Sequence, residues 1–90
     1  MPKLEKILTV MSKQGLHARP AALFVQIAEK YDSQVTVRKG EEEVNGKSIM
    51  GILMLGAQHQ TKIKLIIEGA DAEQAMKELE EFLNKGMEIS

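Results

Sequence analysis

The interval between apolar residues switches along this chain between two and three to four, and that switching limits the possible folds more than any other feature. From Leu4 to Met11 the face formed by Leu4, Lys6, Leu8 and Val10 is mostly apolar and opposes Glu5, Ile7 and Thr9. This predicts a half-buried strand that ends in the loop Ser12-Lys13-Gln14-Gly15. From Ala18 to Lys30 the interval lengthens: Leu23, Phe24, Ile27, Ala28 and then Tyr31 recur at helical spacing. Pro20 fits in the first turn of such a helix, where no intrahelical donor is lost, so His17 stands at or beside the N-cap.

Val35 and Val37 alternate with Thr36 and Arg38 as a second strand, Gly40 turns the chain, and Glu42 to Asn45 forms a short third strand with Val44 inward. This hairpin is expected at a sheet edge. Ser48 then offers an N-cap to the apolar run Ile49, Met50, Ile52, Leu53, Met54 and Leu55, which Gly56 closes as a short helix. From Thr61 to Glu68, Ile63, Leu65 and Ile67 oppose Lys62, Lys64 and Glu68, an amphipathic strand interrupted only by Ile66. Asp71 with Gln74 resembles a capping box, and Ala72, Ala75, Met76, Leu79, Phe82 and Leu83 repeat at helical spacing until Gly86. The order strand, helix, strand, strand, helix, strand, helix predicts the α+β class. The expected architecture is an open-faced sandwich, a four-stranded, mainly antiparallel sheet with three helices on one face. No repeat or linker interrupts residues 1–90, which are expected to form a single domain.

A chain of 90 residues buries only about 60% of its unfolded surface, so chemistry is expected near the surface rather than in a deep cavity. Twelve basic against thirteen acidic residues give a net charge of -1, without the cationic excess that nucleic-acid binding uses. Phe24, Tyr31 and Phe82, the whole aromatic content, fall at positions that read as helical, leaving no platform for base stacking. The absence of cysteine removes disulfides, thiolate catalysis and cysteine-ligated metals, and fits a cytoplasmic protein. The longest charge-free run, Ser48 to Thr61, is too short to span a bilayer, so no membrane insertion is expected. No metal site and no cofactor are expected either.

In Gly15-Leu16-His17-Ala18-Arg19-Pro20-Ala21 an imidazole stands at a helix start with an arginine inside the first turn. Free N–H groups and a guanidinium there both favour a dianion such as a phosphoryl group. Spacing alone leaves open the plainer alternative, a surface histidine beside a helix terminus. Ser48 is open in the same way, since a serine before a helix needs no role beyond capping. Ile49, Met50 and Leu53 could be core, yet a short helix apolar on nearly every side cannot bury them all, and methionine suits an adaptable contact surface. His59, between Gln58 and Gln60, reads as a solvated loop residue, and Glu41-Glu42-Glu43 as a solvated hairpin; neither is assigned a function.

The heptapeptide around His17 resembles the active-site signature of the HPr family, the histidine-containing phosphocarriers of the bacterial phosphoenolpyruvate-dependent sugar phosphotransferase system. Val44-Asn45-Gly46-Lys47-Ser48-Ile49-Met50-Gly51 resembles the regulatory serine motif of that family, at the family's spacing. The resemblance implies that His17 is the phosphorylated histidine, Arg19 the arginine beside the phosphoryl group, and Ser48 the serine modified by a kinase. It implies a carrier rather than an enzyme, monomeric, with Ala18, Ile49, Met50 and Leu53 meeting partners. Those partners would be enzyme I and the enzyme IIA domains of sugar permeases, with HPr kinase/phosphorylase and a catabolite-control transcription factor acting through Ser48. An alternative is a signalling module of an incomplete or nitrogen-related phosphotransferase system, acting mainly through Ser48.

Overall fold

Alternating side chains need a common surface to cover them, and the sheet supplies it. The computed structural model describes residues 1–13 and 15–85. Seven elements follow one another: β1 (Lys3–Thr9), α1 (Ala18–Glu29), β2 (Gln34–Lys39), β3 (Glu42–Asn45), α2 (Ile49–Leu55), β4 (Lys62–Glu68) and α3 (Ala72–Asn84). The strands form one sheet in the order β1-β4-β2-β3, and every neighbouring pair is antiparallel. This is the predicted α+β open-faced sandwich. Its principal extents are 34 × 29 × 20 Å.

The last strand in sequence lies between the first and second. β4 pairs β1 from Lys3↔Glu68 to Thr9↔Lys62 and pairs β2 from Gln34↔Glu68 to Arg38↔Lys64. Flanked on both sides, β4 points Ile63, Leu65 and Ile67 inward, where they are buried beside Val35, Val37 and Leu8. Each such side chain contributes about 1.5–3 kcal/mol through removal from water. Phe24 from α1 and Leu79 and Leu83 from α3 close over this layer with no exposed surface. The other face meets solvent: Lys64 pairs with Glu5 at 2.7 Å, and Arg38 approaches Glu43 at 4.0 Å. Ile66, the residue that interrupts the alternation, sits half-buried on this face opposite Glu5 and Thr36.

Several local expectations are corrected. Only β3 of the hairpin lies at an edge, because β2 is covered on its other side by β4. In α1 the buried stripe is Pro20, Ala21, Phe24, Val25 and Ala28, so the side facing the core is rotated from Leu23 and Ile27, which stay half-buried. Tyr31 lies beyond the end of α1, in a turn, with its hydroxyl hydrogen-bonded to Glu78. Asp71 is the N-cap of α3, but its carboxylate makes no capping bond. It instead accepts from the Asp32 N–H at 2.9 Å, the Ser33 N–H at 3.0 Å and the Ser33 hydroxyl. Three donors from one loop outcompete a single capping bond. The stop expected at Gly86 lies outside the described residues.

Candidate functional site at the start of the first helix

The loop that leads into α1 is held against the turn that precedes β4. Gly15, with a φ of 76°, donates from its N–H to the Ser12 carbonyl at 3.0 Å, and the Leu16 N–H reaches the Ala57 carbonyl at 2.8 Å. Leu16 is buried, which anchors the loop in the core. His17 comes next as the N-cap, with φ -98° and ψ -164°, and its carbonyl accepts the first intrahelical bond, from Ala21 N–H at 2.8 Å. Pro20 occupies the third helical position, where it sacrifices no bond.

The His17 side chain makes no capping bond and is exposed. The N–H groups of Ala18 and Arg19 precede the first intrahelical donor and have no partner within the helix. No acidic residue stands in the first turn, so the positive end of the helix carries the exposed His17 and Arg19 with no acidic side chain of that turn to neutralise it. Such an arrangement can hold a dianion next to a ring nitrogen.

A shallow groove joins this corner to α2, lined by Leu16, His17, Leu53, Gly56, Ala57 and Gln58. Leu53, expected at a partner contact, therefore lines the same groove as His17, the expected phosphorylated residue. Ile49 and Met50 lie farther along the same helix and are exposed, Met50 by 66%. Met54, exposed by 76%, extends this apolar surface beyond the residues the sequence singles out. Ala18 is exposed at the start of α1.

Ser48 sits at the opposite end of α2. Its hydroxyl accepts from the Gly51 N–H at 3.0 Å and its carbonyl from the Ile52 N–H at 3.0 Å, while Gly56 ends the helix in the left-handed conformation. Seven residues at about 1.5 Å each separate the two ends by about 10 Å, so Ser48 does not enter the His17 groove. No acidic residue lies in the first turn of α2 either. Lys39 reaches the other terminus, its ammonium 3.3 Å from the Leu55 carbonyl and 3.4 Å from that of Gly56.

One residue near the site was given no role by sequence. The ring of His59 lies with Nδ1 3.0 Å from the Ser12 carbonyl, the same oxygen that receives Gly15 N–H. Forty-seven residues separate the two, and nothing local announces the contact. Among the described residues no group of three or more histidine, cysteine or acidic side chains could hold a metal ion, and no helix is long and apolar enough to cross a membrane.

The family model described as the PTS HPr component phosphorylation site matches residues 4–85. The phosphocarrier protein HPr of Neisseria meningitidis is 43% identical over 81 residues, covering 90% of this chain and 91% of that protein. The HPr-like protein Crh of Halalkalibacterium halodurans is 45% identical over 82 residues, covering 91% and 98% of the two chains. The crystal structure of HPr from Thermoanaerobacter tengcongensis superposes with a TM-score of 0.90 at 46% identity, covering 97% of this chain and 99% of that one. The match runs from β1 to the end of α3, in sequence and in strand order alike, and the chain belongs to the HPr family of phosphocarrier proteins.

Proposed function

We propose that this protein accepts a phosphoryl group on His17 from enzyme I, itself charged from phosphoenolpyruvate, and passes it to the enzyme IIA domain of a sugar permease. The observation that carries this reading is the exposed His17 ring at the start of α1, which makes no capping bond, with Arg19 and no acidic residue in the first turn. A ring nitrogen lone pair attacks phosphorus, the P–N bond forms, and the bond to the donor atom breaks with its electron pair leaving on the donor. The other ring nitrogen keeps its proton. Onward transfer reverses this at the acceptor, so the carrier is regenerated unchanged and is a relay rather than a catalyst. Arg19 and the N–H groups of the first turn hold the dianion by charge-assisted hydrogen bonds.

On this reading the carrier works in the cytoplasm. Partners rest on Ala18 and on the exposed stripe of Ile49, Met50 and Leu53, an adaptable surface suited to several proteins in turn. Phosphorylation of Ser48 by HPr kinase/phosphorylase regulates the relay and creates the form that a catabolite-control transcription factor recognises. A second reading, in which the chain signals mainly through Ser48, is favoured by its similarity to Crh.

The test is incubation with enzyme I and phosphoenolpyruvate. An acid-labile, alkali-stable phosphoryl group that disappears in a folded His17→Ala variant supports the relay. A label that survives this substitution sinks it. Absence of any His17 label in the wild type, together with kinase-dependent labelling of Ser48, favours the second reading.

A further inference from the structure

We infer that His59 is a positioning residue for the phosphoryl-accepting loop, acting through the Ser12 carbonyl; this rests on the carrier reading of His17. A carbonyl oxygen can only accept, so the contact at 3.0 Å requires that Nδ1 of His59 carry the proton and donate it. The oxygen it meets is already the acceptor for Gly15 N–H at 3.0 Å. Two donors thus converge on one carbonyl, one from the loop itself and one from across the fold. Gly15 and Leu16 are the two residues immediately before His17, and the Leu16 N–H is bound at 2.8 Å to Ala57, two residues before His59. The loop carrying His17 is therefore tied to the segment 57–59 at two residues, Ser12 and Leu16.

That segment is a firm support. The Thr61 N–H closes a four-residue turn on the Gln58 carbonyl at 3.0 Å, and the Gln58 N–H returns to the Thr61 hydroxyl at 3.2 Å. The Gln60 N–H reaches the Val10 carbonyl at 2.7 Å, and the Val10 N–H reaches the Thr61 carbonyl at 2.9 Å. Gln60 has a φ of 67°, a conformation disfavoured for a residue with a β-carbon and retained here by bonds on both sides. The turn is consequently fixed to the end of β1, and His59 projects from it onto the loop. Without its donor, the Ser12 carbonyl loses its bond from across the fold. The His17 ring, unbound itself, then samples a wider range of positions before transfer, and productive approach becomes less frequent.

The experiment compares the wild type with His59→Ala and His59→Asn. Asparagine places an N–H donor at the same δ position as Nδ1, so it can restore the bond while removing the imidazole. Three quantities are measured in each: the rate of phosphoryl transfer from phosphorylated enzyme I, amide hydrogen exchange at Gly15 and Leu16, and the thermal midpoint. The expected result for His59→Ala is transfer slower by about three- to tenfold, the range of one hydrogen bond. Faster exchange at Gly15 and Leu16 should accompany it with the midpoint nearly unchanged, and His59→Asn should recover both rate and protection. A folded His59→Ala variant with wild-type transfer and wild-type exchange overturns the assignment, as does a loss of rate that asparagine leaves unrepaired. If the wild type takes no phosphoryl group at His17, the carrier reading fails instead. The exchange data then still decide whether His59 holds the loop, since protection at Gly15 and Leu16 does not depend on phosphorylation.

Discussion

A β-carbon on Gly15 would lie 2.5 Å from the carbonyl oxygen of Ala57 and 2.9 Å from the Cα of Gln58. The backbone of the His17 loop is thus pressed against backbone atoms that have no side-chain freedom with which to yield.

Gly15→Ala is therefore expected to destabilise the fold by about 2 kcal/mol or more, combining the left-handed penalty with a backbone clash. Thermal unfolding followed by circular dichroism measures the loss. Transfer to His17 should fall with it, because relief of the clash moves the loop. A variant as stable as the wild type would show that the loop has room the structure does not display.

Arg19→Ala should slow phosphoryl transfer by tens of fold, from the loss of a charge-assisted contact contributing about 1.5–3 kcal/mol. Stability should change by less than about 0.5 kcal/mol, as Arg19 is exposed. Rapid-quench kinetics with phosphorylated enzyme I, alongside a thermal melt, separates the two effects. Transfer rates unchanged from the wild type in both directions would falsify the role.

At Ser48 two substitutions should diverge. Ser48→Ala removes the acceptor of the Gly51 N–H and should cost about 1 kcal/mol of stability. Ser48→Asp keeps an acceptor and adds negative charge at a helix start, so its melting point should be held. Its uptake of the phosphoryl group should nevertheless fall at least tenfold, because charge beside the exposed Ile49 and Met50 meets a desolvation penalty on docking. Loss of rate explained wholly by unfolding would rule this out.

Glu78 joins two elements and should leave its mark on both pH limits. Hydrogen bonding to Lys30, and then to Tyr31, lowers the carboxyl below its ordinary 4.5, while the same contact raises the Tyr31 hydroxyl above 10.0. A lowered carboxyl stabilises the fold above its unfolded value, and the contribution is lost as the pH falls through the folded one. A raised phenol stabilises below 10.0 and fades at higher pH. Glu78→Gln should flatten both limbs of the stability profile. At neutral pH it should cost less than about 1 kcal/mol, since the pair is partly solvated. Denaturant titrations across the pH range would expose an unaltered profile.

Much of this arrangement can be read from short-range pattern. The alternation of Ile63, Leu65 and Ile67 marks β4, and Ser48 with Gly56 brackets α2, because each signal acts within one turn or one strand. The Gly15–Ala21 stretch points to the His17 corner through its resemblance to the family signature, since spacing alone leaves a plain surface histidine open. The capping box at Asp71 fails because the competing donors, Asp32 and Ser33, arrive from nearly forty residues away. Likewise no spacing in the sequence tells that β4 will pass between β1 and β2, or that His59 will meet Ser12. Partners chosen by chain crossover are set by the whole core, and local chemistry only makes them possible.

The size of the molecule has an outcome of its own. A protein interface of ordinary extent takes about 800 Å² from each partner, a disc roughly 30 Å across, while the longest dimension of this chain is 34 Å. A disc of that width centred on His17 takes in the groove that His17 shares with Leu53 of α2. On the carrier reading, donor and acceptor then share one seat and occupy it in succession. On that reading, traffic through the relay is governed by how quickly each visitor departs, and the exposed Met50 and Met54 of α2 offer an adaptable surface suited to brief contacts.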